Sequence, residues 1–458
     1  MSSIYSNRLD KRNFEVFFQQ NKSNFPEKGE ITGDQFNYEE IDQGMPIRGN
    51  FIASKNNKKN IIDTINFDFD IFDKDKLTDF NINYFDPMAN NGNIAHLDNF
   101  RETNAIVTND IDRLSNIIDE YGYFLFNNVQ KYLLKNHYLL TSFYLNNILT
   151  SLFIASKNKT NIELKNYLNI SDKVKCMSDI NLFHIELEKL TYLEIFNFLI
   201  VPYEFKLNKT FLNYLPNIKI INYENKYADL NIQCSKINKY ISTSHNLNFD
   251  NTLKSYHLKE NSIIALISGK IQPVWKNNFD DIIIDTFYSF HKRNQNFLIS
   301  KNKQYNYFRH DNLELLEIPT YDNKMSFGII MSDKDYYPKL NPELINFMIS
   351  NLAPTQFKYL SIPQIKDNLK LRYTNILKES GLTRIFESMD IPELIVNNNI
   401  YLNDIVQNIY LIIDKNNKPT HNQNKENKNN LVKQINTPFI YYFRLNTLNT
   451  ILCLGQYC

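Results

Sequence analysis

The 458 residues carry 51 Lys plus Arg against 50 Asp plus Glu, a net charge of +1, which leaves no overall field to gather nucleic acid or an anionic membrane. A hydrophobic share of 43% and an aromatic share of 14% exclude a mainly disordered chain and allow a sizeable core. Cys176, Cys234, Cys453 and Cys458 are too few and too scattered for a disulfide framework, and none form a Cys-x-x-Cys pair, which fits a reducing compartment.

Met1 to Phe18 interrupts its apolar residues with Arg8, Asp10, Lys11, Arg12 and Glu15, unlike a signal peptide, and no later stretch reaches the roughly 18 apolar residues that span a bilayer. Residues 1–110 are expected to form a partly ordered extension. Short apolar clusters (Phe14 to Phe18, Ile61 to Phe72) alternate there with polar runs, and Gly29, Gly33, Gly44, Gly49 and Gly92 favour turns. An independent small domain is the alternative.

At Asp110 the texture changes. Leu114, Ile117, Ile118, Tyr121, Leu125, Val129 and Leu133 recur at helical spacing, with Asp110 placed as a cap. A strand follows at His137 to Leu140, and a second helix runs through Leu145, Ile148, Leu149 and Leu152. Thr160-Asn161-Ile162-Glu163 has capping-box spacing and is expected to start a third helix. Strand patterns then dominate: Ile195 to Tyr203, Ile263 to Ser268, Leu313 to Ile318, Met325 to Met331, Lys358 to Ile362, Ile405 to Ile413, Phe439 to Arg444 and Thr450 to Leu454. Helices are expected at Pro342 to Leu352 and Tyr373 to Phe386. Early helices followed by many strands indicate an α+β domain with mixed or antiparallel sheets.

Little in the sequence points to catalysis. The glycines after residue 111 are isolated, so no phosphate loop exists. The eight histidines, His184, His291 and His310 among them, do not pair at metal-ligand spacing, and no strand-turn-helix nucleophile elbow appears. Neither an enzyme activity nor a metal or other cofactor is expected.

Three segments carry a family resemblance. Asn436 to Arg444 followed by Asn449 to Gly455 resembles a closing hairpin in which Pro438-Phe439 opens one buried strand and Leu454-Gly455 ends the next. Leu369 to Phe386 is similar to a strand and helix ending in Leu-Gly-Ile-x-x-x-Phe, here Ser380-Gly381-Leu382-Thr383-Arg384-Ile385-Phe386. Ile263 to Gly269 leading to Trp275 and Phe279 matches a buried strand followed by Gly-x-Trp-x-x-x-Phe. Their order and spacing, over about three quarters of the chain, resemble the serpin family.

The resemblance implies three β-sheets with surrounding helices over residues 111–458 and an exposed reactive-centre loop near 414–436. Thr141-Ser142-Phe143-Tyr144-Leu145 stands where the family has Ser-Pro-x-Ser, so Ser142 and Trp275 would mark the region where the main sheet opens. The family hinge Glu-x-Gly-Thr-x-Ala is replaced by Lys415, Asn416, Asn417, Lys418, Pro419 and Thr420. Lys418 falls where an inward Thr would be buried, and Pro419 lacks the amide that a central strand needs. Counting from the hinge places a candidate reactive bond at Leu431-Val432.

These departures imply a non-inhibitory serpin that binds another protein or serves a structural role. Two alternatives are an inhibitor of serine or cysteine proteases acting through a cleavable loop, and a carrier of a small ligand. The Asn-, Ile- and Lys-rich composition and the glycine-bearing extension resemble proteins packaged by giant DNA viruses, which implies a virion or host-cytoplasm location. A protein partner is expected, and neither nucleic acid nor membrane.

Overall fold

The computed structural model describes residues 84–85 and 104–458 except 134, 171, 213–214, 216–217, 225–228, 246–251, 291, 333–338, 397–399 and 416–430. The chain divides into two units, Met1–Asn81 and Ile82–Cys458, and the described residues lie in the second. That unit begins upstream of the boundary expected at 110. Its first described elements are β1 (Tyr84–Phe85) and α1 (Asn104–Gln130), which starts before Asp110.

Then follow β2 (Tyr138–Leu140), α2 (Ser142–Ala155), α3 (Asn158–Leu168), α4 (Lys173–Leu187), β3 (Leu193–Pro202), α5 (Lys209–Leu212), β4 (Ile218–Tyr223), α6 (Leu230–His245) and β5 (Ser262–Ile271). The middle of the chain holds β6 (Asp281–Tyr288), β7 (Lys292–His310), β8 (Leu313–Pro319), β9 (Met325–Ser332), α7 (Pro342–Ser350), β10 (Ala353–Pro363) and β11 (Ile365–Arg372). The last elements are α8 (Thr374–Glu379), β12 (Tyr401–Ile413), β13 (Leu431–Gln434), β14 (Phe439–Leu445) and β15 (Thr450–Tyr457).

The described strands form two hydrogen-bonded sheets. One has the order β1-β4-β3-β5-β12-β11, and the other runs β13-β10-β7-β8-β9-β14-β15-β2, with β6 also on β7. The second and third sheets of the expected three are thus continuous through β7, whose 19 residues pair with β6, β10 and β8 in turn.

The stripe expected on α1 faces the core: Leu114, Ile118, Tyr121, Leu125 and Val129 are all buried. Helix α2 is buried along its whole length, polar residues included, because it packs against the α1, α3 and α4 helices as well as β15, β3 and β5. Its buried polar groups therefore need partners. Ser151 Oγ donates to the Asn147 carbonyl at 2.8 Å, and the Asn197 side-chain amide on β3 donates to the Tyr144 carbonyl at 3.1 Å. On the other face of the six-stranded sheet, α6 places Ile237 and Ile241 over Phe198, Ile264, Leu266 and Val406.

Two local expectations fail for physical reasons. Helix α3 begins at Asn158 with Lys157 as its cap residue, so Thr160 lies inside the first turn. No capping box forms. Thr160 Oγ1 instead accepts from the Asp390 backbone N–H at 3.0 Å, and Glu163 accepts from the backbone N–H of Thr383 and Arg384 at 3.0–3.1 Å. Both side chains hold a distant segment of chain, a use that local spacing does not reveal. The helix expected over Tyr373 to Phe386 stops at Glu379, because Gly381 adopts φ 100°, a left-handed conformation that other residues avoid.

A chain lacking residues 1–81 should unfold cooperatively on heating, because the described core, the α1 stripe from Leu114 onward included, lies within residues 82–458. Deletion through Leu125 should abolish that transition, since it removes the apolar face that covers β15 and α2. Calorimetry or circular dichroism melts of the two truncations check this, and a non-cooperative melt of the shorter deletion would place part of the core within residues 1–81.

Candidate functional site

Strand β12 is the element on which the site is built. It runs parallel to β5 from Tyr401 opposite Ser262 to Leu411 opposite Ile271, and antiparallel to β11 from Val406 opposite Arg372 to Ile413 opposite Ile365. Both of its edges are therefore hydrogen-bonded. Its alternate residues Ile405, Ile409, Leu411 and Ile413 are buried on one face, as a strand inside a covered sheet requires. Side chains fasten it at three depths.

At the end where the chain leaves the sheet, Asp414 is the anchor. Its carbonyl accepts the indole N–H of Trp275 at 2.9 Å, its Oδ1 accepts from Gln364 Nε2 at 2.6 Å and from the Lys415 N–H at 2.7 Å, and its Oδ2 lies 2.6 Å from Lys366 Nζ. Partial burial opposes ionisation, but the Lys366 ammonium and the two N–H donors outweigh it and hold the carboxyl below its ordinary range. Trp275 is fully buried, with Phe279 and Phe327 at ring-centre distances of 6.1 and 6.0 Å. Lys415 Nζ donates to the Asp280 carbonyl at 2.5 Å. Lys415, expected as the first hinge position, thus lies beyond the last residue of β12.

At mid-depth the anchor is Gln407, a fully buried amide in an apolar run. Its Oε1 accepts from the Thr141 N–H at 3.1 Å, the Thr141 hydroxyl at 2.6 Å and the Tyr373 hydroxyl at 2.6 Å, while its Nε2 donates to the Leu139 carbonyl at 2.7 Å. Ser142 is also buried, yet its hydroxyl points to the Leu452 carbonyl at 3.3 Å. The contact with β12 therefore falls to Thr141.

At the far end, Asp404 is fully buried and receives Arg372 Nε and Nη2 at 2.8 and 2.7 Å on Oδ2, with the Thr374 hydroxyl on Oδ1. His257 Nε2 stands 3.5 Å from the same Oδ2. Burial pushes the His257 ring down to about 4, with Asp404 opposing and Arg372 reinforcing the shift. Nδ1 lies 2.9 Å from the Lys254 backbone nitrogen and 3.1 Å from the Lys254 carbonyl oxygen, contacts that orient the ring with Nε2 toward Asp404.

Of the residues singled out in the sequence, Trp275 and Lys415 meet at the loop base and Ser142 lies under the sheet. Asn417, Lys418 and Pro419 fall outside the described residues. Leu431 and Val432 belong to β13, which pairs in parallel with β10 (Leu431 opposite Phe357, Val432 opposite Tyr359). β13 is the edge strand there, and Val432 is exposed. Thr141, Tyr373, Gln407, Asp404 and Asp414 were not foreseen. A buried Gln inside Ile405 to Ile413 was the available signal, because a polar residue at an inward strand position demands partners.

Among the described residues no group of three His, Cys, Asp or Glu could hold a metal ion, and no helix is long and apolar enough to cross a membrane. All four cysteines are buried and unbridged.

Gln407→Ala should lower the unfolding free energy by about 2–4 kcal/mol, because it removes the buried acceptor of the Thr141 and Tyr373 hydroxyls and the donor to the Leu139 carbonyl. Denaturant titration measures this, and an unchanged midpoint would remove Gln407 from the set of anchors. The pH dependence has a definite sign. With a folded value near 4 for His257 and an unfolded value near 6.5, the unfolded chain binds the extra proton between those limits, so this residue's contribution is complete above about pH 6.5 and falls on acidification toward 4. His257→Gln should remove up to about 3 kcal/mol of that decline, read from stability measured at pH 7 and pH 4.5 in both proteins.

The family model described as serpin (serine protease inhibitor) matches residues 118–458. An uncharacterized serpin-like protein of Acanthamoeba polyphaga mimivirus is 22% identical over 281 residues, which is 58% of this chain and 68% of that protein. Among solved structures, native protease nexin-1 with heparin superposes with a TM-score of 0.65 at 15% identity, covering 76% of this chain and 99% of its own. Maspin gives 0.67 at 18% identity, again over 76% and 99%. At such identities the superpositions speak for the fold alone.

Proposed function

We propose, from the premise that this chain belongs to the serpin family, that it is a non-inhibitory member acting as a protein-binding or structural scaffold. The observation that carries the reading is the base of the loop. An inhibitory serpin converts its cleaved loop into a strand between the neighbours that here are β5 and β12. The residue that would lead this movement, Lys415, is held on the Asp280 carbonyl, and Asp414 before it is fastened to Trp275, Gln364 and Lys366.

The sequence beyond supports the same reading. Lys418 would have to be buried without a counter-ion, at a cost of several kcal/mol, and Pro419 would interrupt the ladder. From Asn422 to Asn430 every residue is polar, whereas a strand entering a covered sheet needs apolar side chains on at least one face. The mimivirus relative supports an origin in a giant DNA virus, and a virion or host-cytoplasm setting is part of the proposal. The carrier alternative draws no support from the cleft between α1 and α4 lined by Leu114, Ile117, Ile170 and Cys176, which has room for little more than a water molecule.

Incubation with trypsin, chymotrypsin, elastase and subtilisin tests the proposal. Cleavage is expected between Asn416 and Asn430 with no detergent-stable complex on a gel, and a stable higher-mass adduct would establish the inhibitory alternative. The singly nicked protein should melt within a few degrees of the intact one, because no strand is added to the main sheet. A large upward shift would show that Lys418 and Pro419 do enter it.

A further inference from the structure

Strand β6 stands apart from the rest of the surface. Ile282, Ile283 and Ile284 are exposed by 40%, 37% and 74%, and Tyr288 by 45%. Successive strand residues point to opposite faces, so the three isoleucines leave both faces of this strand uncovered. Other large exposed apolar residues stand singly, Ile162, Val174 and Ile185 on helices and Tyr203, Val396 and Val432 outside them. Isolated cases are ordinary, whereas a contiguous patch marks an interaction site.

Among the described residues β6 pairs with β7 alone, and no described strand lies on its other edge. The N–H of Thr286 turns to the Asp285 carboxylate at 2.7 Å and that of Tyr288 to the Asn436 carbonyl at 2.7 Å, so even-numbered residues face away from β7. By the period of two, Ile282 and Ile284 present their backbone groups at that edge, where an added strand would bond. The anchoring end, Phe287, is fully buried.

Charge chooses the occupant. Asp281 and Asp285 bracket the three isoleucines, Asp281 exposed and Asp285 half-buried beside Gln434. Two copies of β6 paired antiparallel about Ile283 would set Asp281 of each against Asp285 of the other, a like-charge arrangement that destabilises a cross-strand pair. A segment with apolar residues between two lysines or arginines would place a cation opposite each carboxylate. We propose that β6 is a strand-addition site for an extended segment of a partner protein, apolar at its centre and basic at both flanks. This rests on the protein-binding reading of the fold and names the chemistry of the partner.

The test uses the full chain and a fluorescein-labelled Gly-Lys-Ile-Val-Ile-Lys-Gly amide, followed by anisotropy. Saturable binding is expected, weakened roughly tenfold or more by Ile284→Lys and by N-methylation of alternate peptide amides, which blocks edge pairing without changing charge. Asp281→Lys should weaken the lysine peptide and strengthen a glutamate-flanked one, and melts confirm that both surface variants fold. No saturable binding, or equal binding of the N-methylated peptide, overturns the proposal. So does concentration-dependent dimerisation in sedimentation that Ile284→Lys abolishes, since the second copy would then be the occupant. Protease trapping is scored on the same Ile284→Lys protein, so a trapped complex would remove the non-inhibitory reading while leaving the peptide result to stand or fall by itself.

Discussion

The parallel seam between β5 and β12 is the constraint on which the other features depend. A strand bonded on both edges and covered on both faces has no unsatisfied backbone group to offer a newcomer, so a third strand could enter only after the seam has parted. Parting it would expose Ile263, Ala265, Leu266 and Ile267 on one side and Ile405, Ile409 and Leu411 on the other, each full-sized side chain among them worth about 1.5–3 kcal/mol of burial. In serpins that cost is offset by the strand that replaces the lost contacts. A polar loop carrying Lys418 and Pro419 makes a poor replacement.

Asp414, Gln407 and Asp404 couple β12 to different parts of the molecule. Asp414 joins it to the Trp275 segment and to β11, and Asp404 joins it to Arg372 and the neighbourhood of His257. Gln407 reaches Leu139 on β2 and Thr141 at the start of α2, and β2 is the edge strand on β15. A displacement of β12 would therefore disturb both sheets. A second bridge lies at His137, whose Nδ1 is 2.7 Å from Asp367 Oδ2 on β11 and whose Nε2 is 3.1 Å from the Tyr441 hydroxyl on β14. The closing hairpin is packed to match: a Cβ on Gly455 would meet the Tyr441 ring at 2.4 Å, which accounts for the glycine after Leu454.

This arrangement gives the scaffold reading a physical basis. Rigid elements hold recognition surfaces better than mobile ones do, and β12, α2 and the closing hairpin form one connected body through buried hydrogen bonds. The outer edge of β6 lies outside it, joined through β7 and anchored by Phe287.

The amino-acid sequence by itself determined the elements whose period is strong and whose burial is one-sided or complete. The α1 stripe could be read from helical spacing, the Ile263 to Ser268 and Ile405 to Ile413 strands and the Phe439 to Leu454 hairpin from apolar runs and alternation, and their order identified the family. It also determined that the hinge lacks small residues, because that is a matter of residue type alone. Tertiary structure alone decided the partners of Thr160 and Glu163, whose capping-box spacing serves contacts more than two hundred residues away. It decided that Leu431 and Val432 are paired with β10, that Thr141 rather than Ser142 meets β12, and that β6 lies at an edge with its isoleucines in solvent. The physical reason is common to all of these. A side chain's type and spacing declare what it can bond or bury, while the group that meets it is set by strand order and register, which bring together residues that no local pattern links.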